Sequence, residues 1–114
     1  MKRTKVYIAG PVTGHPRDQV ITEFARYEKY LTALGYEVVN PMKIIPPDAA
    51  WNEAMILCIY YLNKCDKALF MEGWQHSRGA SMEMEFCTQQ GIPLLSRTII
   101  KELWKDKAYN KKSA

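Results

Sequence analysis

Apolar residues follow two rhythms along this chain, short unbroken runs and longer stretches in which they recur at every third or fourth position. The first run, Val6-Tyr7-Ile8-Ala9, is closed by Gly10-Pro11 and predicts a buried strand over residues 5–10, with a loop to Pro16 behind it. Over residues 17–34, Val20, Phe24, Tyr27, Leu31 and Leu34 form the stripe of an amphipathic helix, and Gly35 is its natural stop. Tyr36-Glu37-Val38-Val39-Asn40 predicts a second strand ended by Pro41, and the Pro-rich stretch to Ala50 is the longest irregular segment. Helical spacing returns at Ala54, Cys58, Tyr61 and Cys65, which places a second helix over residues 51–64. The run 66–71 is almost wholly apolar, as a central parallel strand should be, and Gly73 and Trp74 open the next loop. A third helix is expected over residues 79–90, stopped by Gly91 and Pro93, then a fourth strand at Leu94-Leu95 and a last helix or turn from Ile99 to Trp104.

Strand and helix therefore alternate along the whole chain, which implies right-handed βαβ units. The fold expected is a doubly wound, flavodoxin- or Rossmann-like α/β domain, its mostly parallel sheet of four to five strands covered by helices on both faces. Ligands of such sheets bind at the carboxyl ends of the strands, here the loops after Gly10, Asn40 and Met71.

Composition narrows this picture without changing it. With 114 residues there is room for one core, so residues 1–114 form a single domain. Hydrophobic residues at 47% and charged residues at 25% are the balance of an ordinary globular protein. No apolar stretch approaches the roughly 20 residues of a membrane span, and the N-terminus runs into a strand pattern without a signal-peptide core, so a cytoplasmic protein with no membrane partner is expected. Cys58, Cys65 and Cys87 form no C-x-x-C pair and each lies in an apolar segment, which reads as reduced core thiols. The formal net charge of +4 is concentrated at the chain ends, including a basic tail at about 105–114. Such ends read as solvated rather than as nucleic-acid arms, and no nucleic-acid partner is expected, although the charge suits an anionic small ligand. His15 and His76 lack partners at metal-ligand spacing, so neither a metal nor a cofactor is expected; His15 could still touch phosphate.

The segment Ser77-Arg78-Gly79-Ala80-Ser81-Met82-Glu83 carries the chemistry. It reads as a loop entering a helix, where Gly79 lets the backbone approach a ligand and free amides of the first turn form an anion cradle. Ser77 can cap the helix or bind a ligand oxygen, and the two are compatible. Glu83 lies in or just beyond the first turn, where the helix dipole favours the ionised form; it is either a charge complementing that dipole or a nucleophile. Glu85 points away from it.

Several spaced motifs resemble the nucleoside 2-deoxyribosyltransferase superfamily, and within it the small DUF4406-like members similar to deoxynucleoside 5′-monophosphate N-glycosidases. They are Val6-Tyr7-Ile8-Ala9-Gly10-Pro11, Val38-Val39-Asn40-Pro41, Leu62-Asn63-Lys64-Cys65-Asp66, Gly73-Trp74, Ser77-Arg78-Gly79-Ala80 with Glu83, and Gly91-Ile92-Pro93. The resemblance implies that Glu83 is a nucleophile that attacks C1′, expels the base and holds the sugar as an ester. Water then gives a hydrolase, and a second base a transferase. Tyr7 matches a tyrosine that positions the glutamate; as a strand residue it could equally be core. The position six residues before the nucleophile, an aspartate in the transferases, is Ser77 here, which favours a 5′-monophosphate held by Ser77, Gly79, Arg78, Thr13 and Gly14. Gly10 and Asn40, at the ends of the first two strands, complete the expected binding set. Trp74 could stack on a base or sit in a subunit contact, and Trp51 with Ile59-Tyr60-Tyr61 suits an interface, because the resemblance implies a homo-oligomer, a dimer or higher. One departure stands out. Many relatives carry an aspartate eight residues before Asp66, near the base, and this chain has Cys58. A non-catalytic nucleotide-binding protein is the alternative this substitution favours.

Overall fold

The computed structural model describes residues 2–100, and within them strands and helices alternate in the expected order. Strand β1 (Lys5–Ala9) leads into helix α1 (Arg17–Ala33) and strand β2 (Glu37–Val39). A short helix α2 (Pro41–Ile44), helix α3 (Trp51–Leu62), strand β3 (Lys67–Phe70), a 3-10 turn (Trp74–His76) and helix α4 (Arg78–Gln90) follow. The three strands lie parallel in the order β2-β1-β3, with Val6 opposite Val38 on one side and Lys67 on the other.

Strand periodicity divides the core into two layers. Val6 and Ile8 of β1 join Leu69 on one face and pack against Val20, Phe24, Tyr27 and Leu31 of α1. Tyr7 and Ala9 join Ala68 and Phe70 on the other face and pack against Cys58 and Leu62 of α3 and Cys87 of α4. Helices therefore cover both faces, and the stripe read from the sequence is, as far as Leu31, the buried face of α1. The free thiols of Cys58, Cys65 and Cys87 are all buried.

Two expectations need correction. Among the described residues the sheet has three strands, not four to five: Leu94 makes only an isolated parallel bridge to Ala68. The reason is local. Pro93 has no N–H to donate, so the ladder is reduced to Pro93 C=O accepting from Ala68 N–H (3.1 Å) and Leu95 N–H donating to Ala68 C=O (2.8 Å). The stretch after Pro41 is also not irregular throughout. Asn40 Oδ1 accepts from Met42 N–H at 3.0 Å and Pro41 stands at the first helical position, so one turn, α2, forms there.

Asp66 ties the sheet's amino edge, its carboxylate accepting from Lys5 N–H at 2.8 Å. Residues 98–100 begin a helical turn with Ile100 fully buried, whereas the rest of the expected last helix and the basic tail lie outside the described residues. Among the described residues, no helix is long and apolar enough to cross a membrane.

Candidate functional site

The order β2-β1-β3 puts α1 on one side of β1 and α3 on the other, so the chain diverges at the carboxyl end of β1. A cavity of about 550 Å³ opens there, within the range of small-molecule sites. Its walls come from the end of β1, the loops after β1 and β2, one face of α3, and the start of α4.

On α3 the residues facing the cavity include Trp51, Met55 and Cys58, spaced by four and three, so a single helical face builds that wall. On α4 they are Arg78, Gly79, Ala80 and Glu83, preceded by Ser77 and His76. Gly79 is small for a visible reason: a Cβ there would stand 3.0 Å from Met55 Sδ. At Gly10 a Cβ would lie 2.9 Å from Met71 Cβ, so the end of β1 has no room for a side chain.

Glu83 is one of the two polar residues buried among the described residues, at 5% exposure, and Tyr7 of β1 is fully buried. Neither Glu83 Oε2 nor Tyr7 Oη finds a well-formed hydrogen bond among the described residues. They are nevertheless close enough to influence each other's titration, the Tyr7 hydroxyl acting to lower the pKa of Glu83. Burial dominates. It raises the Glu83 carboxyl from 4.5 to about 7, because removing a carboxylate from water penalises its charged form.

This corrects the expectation that the helix dipole keeps Glu83 ionised. Arg78 is the first residue of α4, so Glu83 is in the second turn, beyond the reach of the terminal amides, and desolvation wins. Tyr7 is held well above its ordinary 10.0, first by burial and then by the charge of Glu83. The Cys58 thiol, buried beside both, is pushed up to about 11 by burial and by Glu83.

The mouth is cationic. Arg17 and Arg78, both exposed, line it, and among the described residues Glu83 is the one acidic side chain in the wall. The Arg78 guanidinium stacks over the Trp51 ring with Cζ 4.2 Å from the centroid, which fixes it as a flat, oriented cation. Ser77 caps α4, its Oγ accepting from Ala80 N–H at 3.2 Å, so one acceptor site of the hydroxyl is used while its proton is left for a ligand.

Of the residues singled out in the sequence, Tyr7, Gly10, Thr13, Ser77, Arg78, Gly79 and Glu83 meet around this cavity. Three others lie apart from its wall. Asn40 is buried, capping α2 and donating to Glu28 Oε1 at 2.9 Å. Trp74 packs edge-on against Phe70, with ring centroids 5.4 Å apart. Gly14 turns the loop after β1 with φ 86°. Sequence reasoning set Cys58 near the base only through the resemblance, gave Trp51 to an interface and missed Met55, although the i, i+4 spacing of Trp51 and Met55, with Cys58 three residues on, was the signal that joins them in one wall.

Fold and site together define a small parallel α/β protein with a ligand-sized pocket at its strand ends. The chain belongs to the family described as Domain of unknown function (DUF4406), whose model matches residues 4–96. Among solved structures it is similar to a 2-desoxiribosyltransferase from Leishmania mexicana, with a TM-score of 0.58 and 18% identity over 82% of this chain. The match spans 63% of that protein's length, and at such identity it is a likeness of fold. No curated protein matches the chain.

Proposed function

We propose that this protein breaks the N-glycosidic bond of a nucleoside or nucleoside 5′-monophosphate through a covalent glutamyl-sugar intermediate on Glu83. The observation that carries the reading is a buried carboxyl, pKa about 7, set beside the unpaired Tyr7 hydroxyl inside a cavity with an arginine-lined mouth. A structural carboxylate in a core would be paired. This one lines the cavity and has an oxygen with no well-formed hydrogen bond among the described residues, as suits a nucleophile.

In this mechanism a Glu83 oxygen bonds to C1′ as the C1′–N bond breaks and its electron pair leaves with the base. Tyr7 Oη donates to the second carboxylate oxygen and holds the attacking one in line. Water then adds at C1′ and Glu83 departs as carboxylate; a second base in place of water makes the same reaction a transfer. Arg17, Arg78, the Ser77 hydroxyl and the first amides of α4 suit a 5′-phosphate. The likeness of fold to a 2-desoxiribosyltransferase supports an assignment of sugar chemistry.

The test is base release from nucleosides and their monophosphates, followed by chromatography. Wild type should release base, and Glu83→Ala should lower the rate by about 10³-fold or more, the scale of losing a nucleophile. Equal rates for the two proteins would overturn the proposal. The second reading, nucleotide binding without turnover, is favoured by Cys58 alone. It would show as tight binding that survives Glu83→Gln, with no free base.

A further inference from the structure

Breaking a C1′–N bond leaves an electron pair on the base nitrogen. An ordinary purine or pyrimidine carries it away poorly unless a proton arrives at the same time, which is why a positioned acid is worth about 10² to 10⁴ in rate. Helix α3 lines the cavity with Trp51, Met55 and Cys58, the last of them beside Glu83 and Tyr7. None is an acid of useful strength, since burial pushes the Cys58 thiol up to about 11. Burial raises the Tyr7 hydroxyl well above its ordinary 10.0 too, and that hydroxyl stands by Glu83. His76 is the remaining titratable side chain in the described wall, but it adjoins Ser77, six residues before Glu83. It precedes α4 and stands at the anion-binding end of that helix.

From this wall we infer that the site is built for N-glycosides whose base departs without taking up a proton: nucleoside 5′-monophosphates bearing a quaternised, positively charged base, such as an N7-alkylated purine. The inference rests on the glutamyl mechanism and names its substrate class. The step balances without an acid. Glu83 carboxylate bonds to C1′, the C1′–N pair moves onto the cationic base, and the base leaves neutral. Hydrolysis of the ester by water then yields the sugar phosphate and releases one proton.

A second argument comes from charge placement. Glu83 is the one acidic group of the cavity wall among the described residues and is half protonated near neutrality. A cationic base bound against the α3 wall would pull its carboxyl toward the ionised, nucleophilic form, whereas a neutral base would not. The phosphate at the Arg17 and Arg78 mouth offsets the repulsion those arginines would exert on the base.

The experiment compares 2′-deoxyguanosine 5′-monophosphate with its N7-methyl derivative, each corrected for spontaneous depurination. The methylated nucleotide should show kcat/KM higher by about 100-fold or more, the range a missing acid leaves to the leaving group. Cys58→Asp, which places a carboxyl in the α3 wall, should narrow that gap by accelerating the unmethylated nucleotide. Comparable rates for the two nucleotides with the wild-type protein would overturn this inference while leaving the glutamyl mechanism standing. No base release from either nucleotide would overturn both.

Discussion

At the scale of single residues, Glu83 bears opposite demands for stability and for reactivity. Its carboxyl has a pKa of about 7 in the folded chain against 4.5 when exposed, so the folded state holds its proton more tightly than the unfolded state. Below pH 4.5 both states are protonated and burial carries no charge penalty. As pH rises through 4.5 to 7 the unfolded chain gives up its proton first, and stability is lost, on the order of 3 kcal/mol by the upper end. Glu83→Gln removes the titration while keeping the shape. The variant should therefore match wild type near pH 4 and exceed its Tm progressively toward pH 8, as followed by thermal denaturation at a series of pH values. A constant difference across that range would show that Glu83 is not desolvated as described. Under the proposed glutamyl mechanism, that loss of stability is offset by the reactivity of the same carboxyl.

At the scale of elements, the proposed function gives Ser77, at the start of α4, a second job beside its cap. The cap to Ala80 N–H is structural, and losing it in Ser77→Ala should cost about 1 kcal/mol. Ser77→Asp keeps a capping oxygen and adds negative charge at the cationic mouth, so the two roles can be separated. This variant should hold wild-type stability yet raise KM for a nucleoside monophosphate by about tenfold, the scale of one charge-assisted hydrogen bond to phosphate, while KM for the free nucleoside changes little. Equal effects on both substrates would remove phosphate from the mouth. The cap itself was legible in the sequence, because serine, glycine and the following apolar spacing mark a helix start. The place of Glu83, in or just beyond the first turn, was legible too, whereas the balance between dipole and burial was not. The structure begins α4 at Arg78 and leaves Glu83 in the second turn, where burial outweighs the dipole, and burial depends on α3 and β1, distant in sequence. Strands β1 and β3 were legible for the opposite reason, each being a short and largely buried apolar run, and β2 was legible as Val38-Val39 stopped by Pro41. The fourth was not, because two apolar residues after Pro93 carry a strand's composition but too few N–H groups for a ladder.

At the scale of the whole molecule, the field around the cavity follows from how one parallel sheet shares its two faces. Helix α1 delivers Arg17 from one face and α4 delivers Arg78 from the other, so two cations from separate layers meet at a single mouth above one buried carboxyl. That arrangement should favour a ligand with an anionic end outward and an uncharged or cationic end inward. A nucleoside monophosphate at 100 times its Kd should stabilise the fold by about 2.7 kcal/mol, seen as a Tm rise of several degrees. Because Arg17 and Arg78 are exposed, their attraction is screened over roughly 10 Å at 0.1 M salt and over a shorter range at higher salt. The Tm rise at fixed ligand concentration should accordingly shrink between about 0.05 and about 0.5 M NaCl, and Arg78→Gln should reduce both the rise and its salt dependence. The free nucleoside provides the contrast, since its smaller Tm rise should be nearly indifferent to salt. A monophosphate shift that ignores salt would mean the phosphate is held elsewhere, and the mouth formed by α1 and α4 would then have to admit the base instead.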